Sequence, residues 1–143
     1  MQVKIKKLTS DAVIPTYATP GSACFDISTT TTDIIPVENT GVFRTGLSFE
    51  IPEDHVMLVF SRSGHGFKRD VRLSNCVGVI DSDYRGELLV KMRTDGYFNM
   101  PVESGDRIAQ GMIIPVQQVA FLEEEELSDT SRGTGGFGST GQN

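Results

Sequence analysis

The chain has 143 residues, of which 38% are hydrophobic and 22% charged, with a formal net charge of -6 and a pI near 4.8. That length suits one domain with its own core, the two cysteines are too few for a disulfide framework, and no apolar run reaches the roughly 20 residues of a membrane helix. The acidic balance excludes a broad electrostatic grip on DNA or RNA, so direct nucleic-acid binding is not expected; a polyanion would have to be met by a local cluster of cations and backbone N–H groups.

The opening MQVKIKKL interleaves Lys4, Lys6 and Lys7 with Val3, Ile5 and Leu8. This near-alternation predicts a strand, not the basic stub and apolar block of a secretory leader. A cytoplasmic location (host-cell cytoplasm for a viral protein) is expected, with Cys24 and Cys76 as reduced, packed thiols. Near-alternation at 42–44 and 47–51, then short aliphatic runs at 55–60, 76–80, 87–92 and 112–121, predict further strands. Turn clusters at 19–22, 38–41, 52–54, 95–96 and 103–106 separate them. Many short strands at near-regular spacing predict an all-β sandwich, jelly roll or barrel, with at most one short helix after Ser63. Only His55 and His65 supply imidazole, which excludes the usual zinc site. Composition changes after Phe121: residues 123–126 are four acids and 133–141 are dense in glycine. A β-rich body over 1–122 followed by an acidic linker and flexible C-terminal segment over 123–143 is therefore expected.

Five stretches carry candidate chemistry. Asp26 lies in PGSACFDI between Phe25 and Ile27, where a carboxylate entering a buried strand needs an ionic partner, a metal's water shell or a hydrogen-bonded turn. Arg62, Ser63 and Gly64 follow a strand and offer a charge, a hydroxyl and an open N–H to an anion, although the same residues also make an ordinary turn. NCVGVIDSDYRGE, from Asn75 to Glu87, reads as a β-hairpin with Asp81, Asp83 and Tyr84 at its mouth. GDRIAQ gives a turn and strand ending at Gln110, a candidate polar contact, although the same residues also make an ordinary turn in which Asp106 and Arg107 pair. In the tail, Arg132 precedes glycines, Phe137 has no core of its own to fill, and Gly138, Ser139 and Thr140 offer N–H and hydroxyl donors to phosphate. A Walker A loop is excluded because Ser139 stands where lysine is required.

In sequence and order these stretches resemble the five motifs of the trimeric dUTP diphosphatase (dUTPase) family, from Pro20 to Gly141. The resemblance implies a distorted jelly roll or β-barrel forming a homotrimer with three active sites shared between subunits. It implies hydrolysis of dUTP to dUMP and diphosphate with Mg²⁺, which limits uracil in DNA and supplies dUMP for thymidylate. Asp81 matches the aspartate that holds and activates the attacking water, and Tyr84 the ring that leaves no room for a ribose hydroxyl. Asn75 matches the uracil-reading asparagine. Arg62, Ser63, Gly64 and Gln110 match phosphate contacts, and Asp26 an aspartate that reaches the metal through water. In the tail, Arg132 would meet the γ-phosphate, Phe137 would stack over uracil, and Gly138, Ser139 and Thr140 would wrap the phosphates. Three positions depart from the family pattern: Cys24 where glycine is usual, His65-Gly66-Phe67 after the second motif, and Gly111 where a bulky apolar residue usually follows Gln110.

Overall fold

The computed structural model describes residues 1–139 and residue 141. Its elements are β1 (Lys4–Lys7), β2 (Thr16–Tyr17), β3 (Phe25–Ser28), β4 (Asp33–Ile35), β5 (Thr40–Arg44), β6 (Leu47–Glu50), β7 (His55–Phe60), α1 (Ser63–Arg69), β8 (Val71–Leu73), β9 (Val77–Ile80), β10 (Leu89–Thr94), β11 (Met100–Val102) and β12 (Arg107–Pro115). They form antiparallel sheets in the orders β1-β6, β5-β10-β8, β11-β4 and β2-β3-β12-β7-β9. The sheets wrap as a distorted jelly roll over a core in which Ile27, Ile35, Phe43, Leu47, Met57, Met92 and Ile108 are fully buried. Among the described residues, no helix is long and apolar enough to cross a membrane.

Alternation builds the strands as expected: β7 buries Met57 and Val59, and β10 buries Val90, Met92 and Thr94. β12 is the spine of the large sheet, paired with β3 on one side and β7 on the other. A register shift between Arg107 and Ala109 breaks the alternation and lets consecutive Ile108 and Ala109 both be buried. The predicted run 112–121 ends early, at Pro115, and beyond it Val119, Phe121 and Leu122 are exposed. α1 is short, buries no residue, and stops at Asp70, whose φ of 52° is left-handed.

Gly111 lies opposite Phe25 on β3 and Val59 on β7. A Cβ there would stand 2.7 Å from Cε2 and 2.8 Å from Cζ of Phe25. Phe25 is buried and meets Tyr17 edge-on with ring centroids 5.9 Å apart, so it has little room to retreat. The missing bulk at position 111 is thus taken up by the Phe25 ring. Gly111→Val is expected to destabilise the protein by about 1–3 kcal/mol through overpacking, read by denaturant unfolding; an unchanged midpoint would mean that Phe25 repacks freely.

The stretch from Asn75 to Glu87 is not the predicted hairpin. β9 pairs with β7, whereas β10 pairs with β5 and β8, and no ladder joins β9 to β10. The segment is an arch that steps from one sheet to another and leaves its two limbs splayed. The cysteines also depart from the expectation of packed thiols: both are free, but Cys24 is only half-buried and Cys76 is exposed in a turn with φ 63°.

Candidate active site

The neighbouring strands β3, β12 and β7 bring three of the sequence stretches together. Gln110 on β12 sits in register with Asp26 on β3 and with Phe60 at the end of β7. The chain leaving β7 delivers Ser61 and Arg62 to the same edge, and Gln110 Nε2 donates to the Ser61 carbonyl at 2.9 Å. Arg62 Nε donates to Asp26 Oδ1 at 3.0 Å, and Arg107 Nη1 donates to Asp26 Oδ2 at 3.0 Å. Arg62 Nη1 also reaches the Arg107 carbonyl at 3.2 Å. Of the three solutions open to Asp26, the structure takes an ionic partner on each oxygen. Arg107 thereby leaves Asp106, its expected partner; Asp106 Oδ2 instead accepts the Glu103 N–H at 3.0 Å.

These residues line a cavity of about 500 Å³ whose wall also carries Cys24, Ser63 and Gly64. Two guanidiniums share one carboxylate, so the cleft keeps a net positive charge and suits an anion. Partial burial, and secondarily the Asp26 carboxylate, raise the Cys24 thiol, which stays protonated and is no nucleophile at neutral pH. His65 is pushed the other way: desolvation first, then Arg62 and Arg69, lower it against an opposing pull from Asp106, so the imidazole is neutral. Its buried Nδ1 has no hydrogen-bond partner, and Phe67 beyond it is almost fully exposed.

The arch forms a second cavity of about 320 Å³ between its limbs, lined by Asn75, Gly78 and Ile80 from one side and Leu88 and Leu89 from the other. Gly78 is buried against Val59, since a Cβ there would come 3.2 Å from Val59 Cβ. At the arch tip the Tyr84 N–H donates to the Asp81 carbonyl at 3.2 Å, and Tyr84 Oη donates to the Glu87 carbonyl at 3.0 Å. The Asp81 carboxylate is exposed and, among the described residues, no cation pairs with it.

The tail is a third, separate group. Arg132 Nε donates to the Gly135 carbonyl at 2.9 Å, and Ser139 N–H to the Gly136 carbonyl at 3.0 Å. Phe137 is exposed at 112% of its reference surface, with no dock among the described residues and with Gly138 beside it at φ 89°. Thr140 lies outside the described residues. Asp26, Arg62, Ser63, Gly64 and Gln110 are therefore gathered in one cleft, while Asn75 lies in the arch cavity, Asp81 and Tyr84 at the arch tip, and Arg132, Phe137, Gly138 and Ser139 in the tail. Sequence reasoning missed the Arg107–Asp26 pair, because the two lie 81 positions apart and only their side chains meet.

A β-rich body with a cationic cleft and an open arch is the setting in which the comparisons fall: the dUTPase family model matches residues 10–141. The chain belongs to the dUTPase family. It is 44% identical to the deoxyuridine 5'-triphosphate nucleotidohydrolase of Nautilia profundicola, covering 99% of this chain and 100% of that one. It is 43% identical to the protein of that name from Helicobacter hepaticus, covering 99% and 89%. Among solved structures it resembles the Staphylococcus bacteriophage 80alpha dUTPase with dUPNHPP, with a TM-score of 0.92, 27% identity and 98% of each chain covered.

Proposed function

We propose that this chain hydrolyses dUTP to dUMP and diphosphate as a homotrimer, by attack of water on the α-phosphorus. The observation that carries the reading is the separation of its parts: among the described residues the cationic cleft, the arch and the tail each hold part of the motif set, and neither the cleft nor the arch cavity is lined by the other two groups. Copies that pool these parts make a complete site. In this reading residues 1–122 form the body and 123–143 an acidic linker and lid that closes over a neighbour's nucleotide.

Each residue then has a task that its position allows. The splayed limbs of the arch leave backbone groups free beside Asn75 to read the uracil edge. Tyr84 walls the sugar at C2′, and the unpaired carboxylate of Asp81 orients the attacking water and accepts its proton. A carboxylate is a weak base near neutrality, so orientation carries more of the effect than proton affinity. Arg62, with Ser63, Gly64 and Gln110, holds phosphate oxygens, and Arg132 meets the γ-phosphate while Phe137 covers the base and Gly138, Ser139 and Thr140 wrap the phosphates.

Among the described residues no group of three or more His, Cys, Asp or Glu side chains is arranged to hold a metal ion. Asp26 has one guanidinium nitrogen on each oxygen, yet a carboxylate has about four lone-pair sites and can still accept from a metal-bound water. This donor set fits Mg²⁺ carried on the triphosphate and held through water by Asp26. When bound, Mg²⁺ would neutralise phosphate charge and help the diphosphate leave.

The reading is tested by measuring diphosphate release from dUTP, dTTP, UTP and dCTP, with and without Mg²⁺, on protein whose mass in solution is determined by sedimentation. A trimer that cleaves dUTP at least about 100-fold faster than the others, with Mg²⁺ required, is the expected result. A monomer inert toward dUTP, or ammonia release from dCTP in its place, overturns it.

A further inference from the structure

The return limb of the arch is stitched to a segment some forty positions upstream. Ser48 Oγ donates to the Arg85 carbonyl at 2.7 Å, Thr45 Oγ1 to the Leu88 carbonyl at 2.7 Å, and Leu88 N–H to the Leu47 carbonyl at 2.8 Å. Between these backbone stitches sits one ion pair. Arg44 grips the Glu87 carboxylate with two nitrogens, Nε at 3.0 Å and Nη2 on the same Oε2, while Gly46 N–H donates to Oε1 at 2.9 Å. The Glu87 side chain is 12% exposed, so three donors satisfy a largely desolvated anion. The Arg44 hydrogen bonds, foremost, hold its carboxyl below the usual carboxylate range.

The same residue faces the arch with its main chain. The Glu87 carbonyl accepts the Tyr84 hydroxyl, and Gly86 between them is overlain by the tyrosine: a Cβ at Gly86 would fall 2.3 Å from Tyr84 Oη and 2.5 Å from Cζ. Tyr84 is 45% exposed and has water available, yet its hydroxyl is tied to this one carbonyl. The peptide whose oxygen receives the Tyr84 hydroxyl is thus held twice, by the Leu88 N–H on the Leu47 carbonyl and, one residue back, by the Glu87 side chain.

We propose that the Arg44–Glu87 pair is a positioning device for Tyr84, fixing the ring so that a nucleotide bearing a 2′-hydroxyl is rejected. The proposal rests on the reading of Tyr84 as the wall of the sugar site. Neither Arg44 nor Glu87 touches substrate; they act through the tyrosine. Releasing the carboxylate leaves the Glu87–Leu88 peptide held on this side by the Leu88 N–H alone, so its carbonyl can tilt about that bond, the hydroxyl loses its fixed acceptor, and the ring shifts enough to admit a ribose. Arg44 is mostly exposed, but its removal leaves the largely desolvated Glu87 carboxylate with the Gly46 N–H alone, so a modest loss of stability accompanies the loss of selectivity.

The test compares kcat/KM for dUTP and UTP in the wild type, Arg44→Ala, Arg44→Lys, Tyr84→Phe and the Arg44→Ala/Tyr84→Phe double variant, with unfolding midpoints alongside. Arg44→Ala is expected to narrow the dUTP-to-UTP ratio about tenfold with a modest fall in the midpoint, and Arg44→Lys to recover part of the ratio, since lysine supplies the charge without the fork. Tyr84→Phe, which removes only the hydroxyl, should narrow the ratio to a similar degree, and the double variant should go no further than either single one. A high wild-type ratio that Arg44→Ala leaves in place, or effects that multiply in the double variant, overturns the positioning role alone. A wild-type ratio near one overturns the reading of Tyr84, and the clamp with it.

Discussion

Asp81→Asn is expected to lower turnover of dUTP about 10³-fold while changing affinity for a non-hydrolysable analogue by no more than about threefold. The argument begins with what Asp81 does not do. Its carboxylate lies just past the end of β9, exposed, with no cation paired to it among the described residues, and it contributes to the arch only through its carbonyl, which accepts the Tyr84 N–H. The substitution keeps that carbonyl and the size of the side chain, so the arch and the base pocket persist. What it removes is an anionic acceptor for the water's proton, and asparagine offers an N–H where the water needs a lone pair. The contrast with Asp26 is instructive, because that carboxylate is neutralised by Arg62 and Arg107 and lies in the cationic cleft rather than at the arch tip. Turnover by single-turnover diphosphate release, with affinity by calorimetry, separates the two effects. A rate within tenfold of wild type would remove Asp81 from the chemistry.

What could be read from the chain alone divides by the range of the interaction. β7 spans His55–Phe60, the very run its aliphatic residues mark out, and α1 begins at Ser63 where a short helix was expected, because both depend on neighbours a few positions away. The turn at Glu103–Asp106 is legible for the same reason: Gly105 takes φ 94°, and Asp106 closes the turn on Glu103 by backbone and side chain. The arch was not legible. Two apolar runs around an acidic turn look alike whether they pair with each other or with outside strands, and here β7, β5 and β8 had taken the pairings. Ion pairs were equally silent, since Arg44 reaches Glu87 across 43 positions and Arg62 reaches Asp26 across 36. Phe137 is the opposite case: its sequence context called for a dock, and none of the described residues covers it.

Ending the chain after Ser131 is expected to reduce turnover about 10³-fold with assembly and unfolding midpoint preserved. Among the described residues, the hydrogen bonds of the tail from Arg132 close on the tail or on Thr130: Arg132 on Gly135, Gly133 on Thr130, Ser139 on Gly136. Phe137 covers no part of the core, so removing it exposes no buried surface of its own chain. The loss must then appear in the bound state. Stacking of one base on an aromatic ring is worth roughly 1–3 kcal/mol, and a guanidinium on developing phosphate charge adds a comparable or larger amount. At about 1.4 kcal/mol per tenfold, the two together reach roughly three powers of ten. Phe137→Ala alone should cost about 10–100-fold by the same reckoning. Sedimentation and thermal unfolding of the shortened protein control for assembly, and kcat with KM for dUTP reports the lid. Wild-type turnover in that protein would make residues 132–143 a spacer and leave the cationic cleft and the arch to complete the site without them.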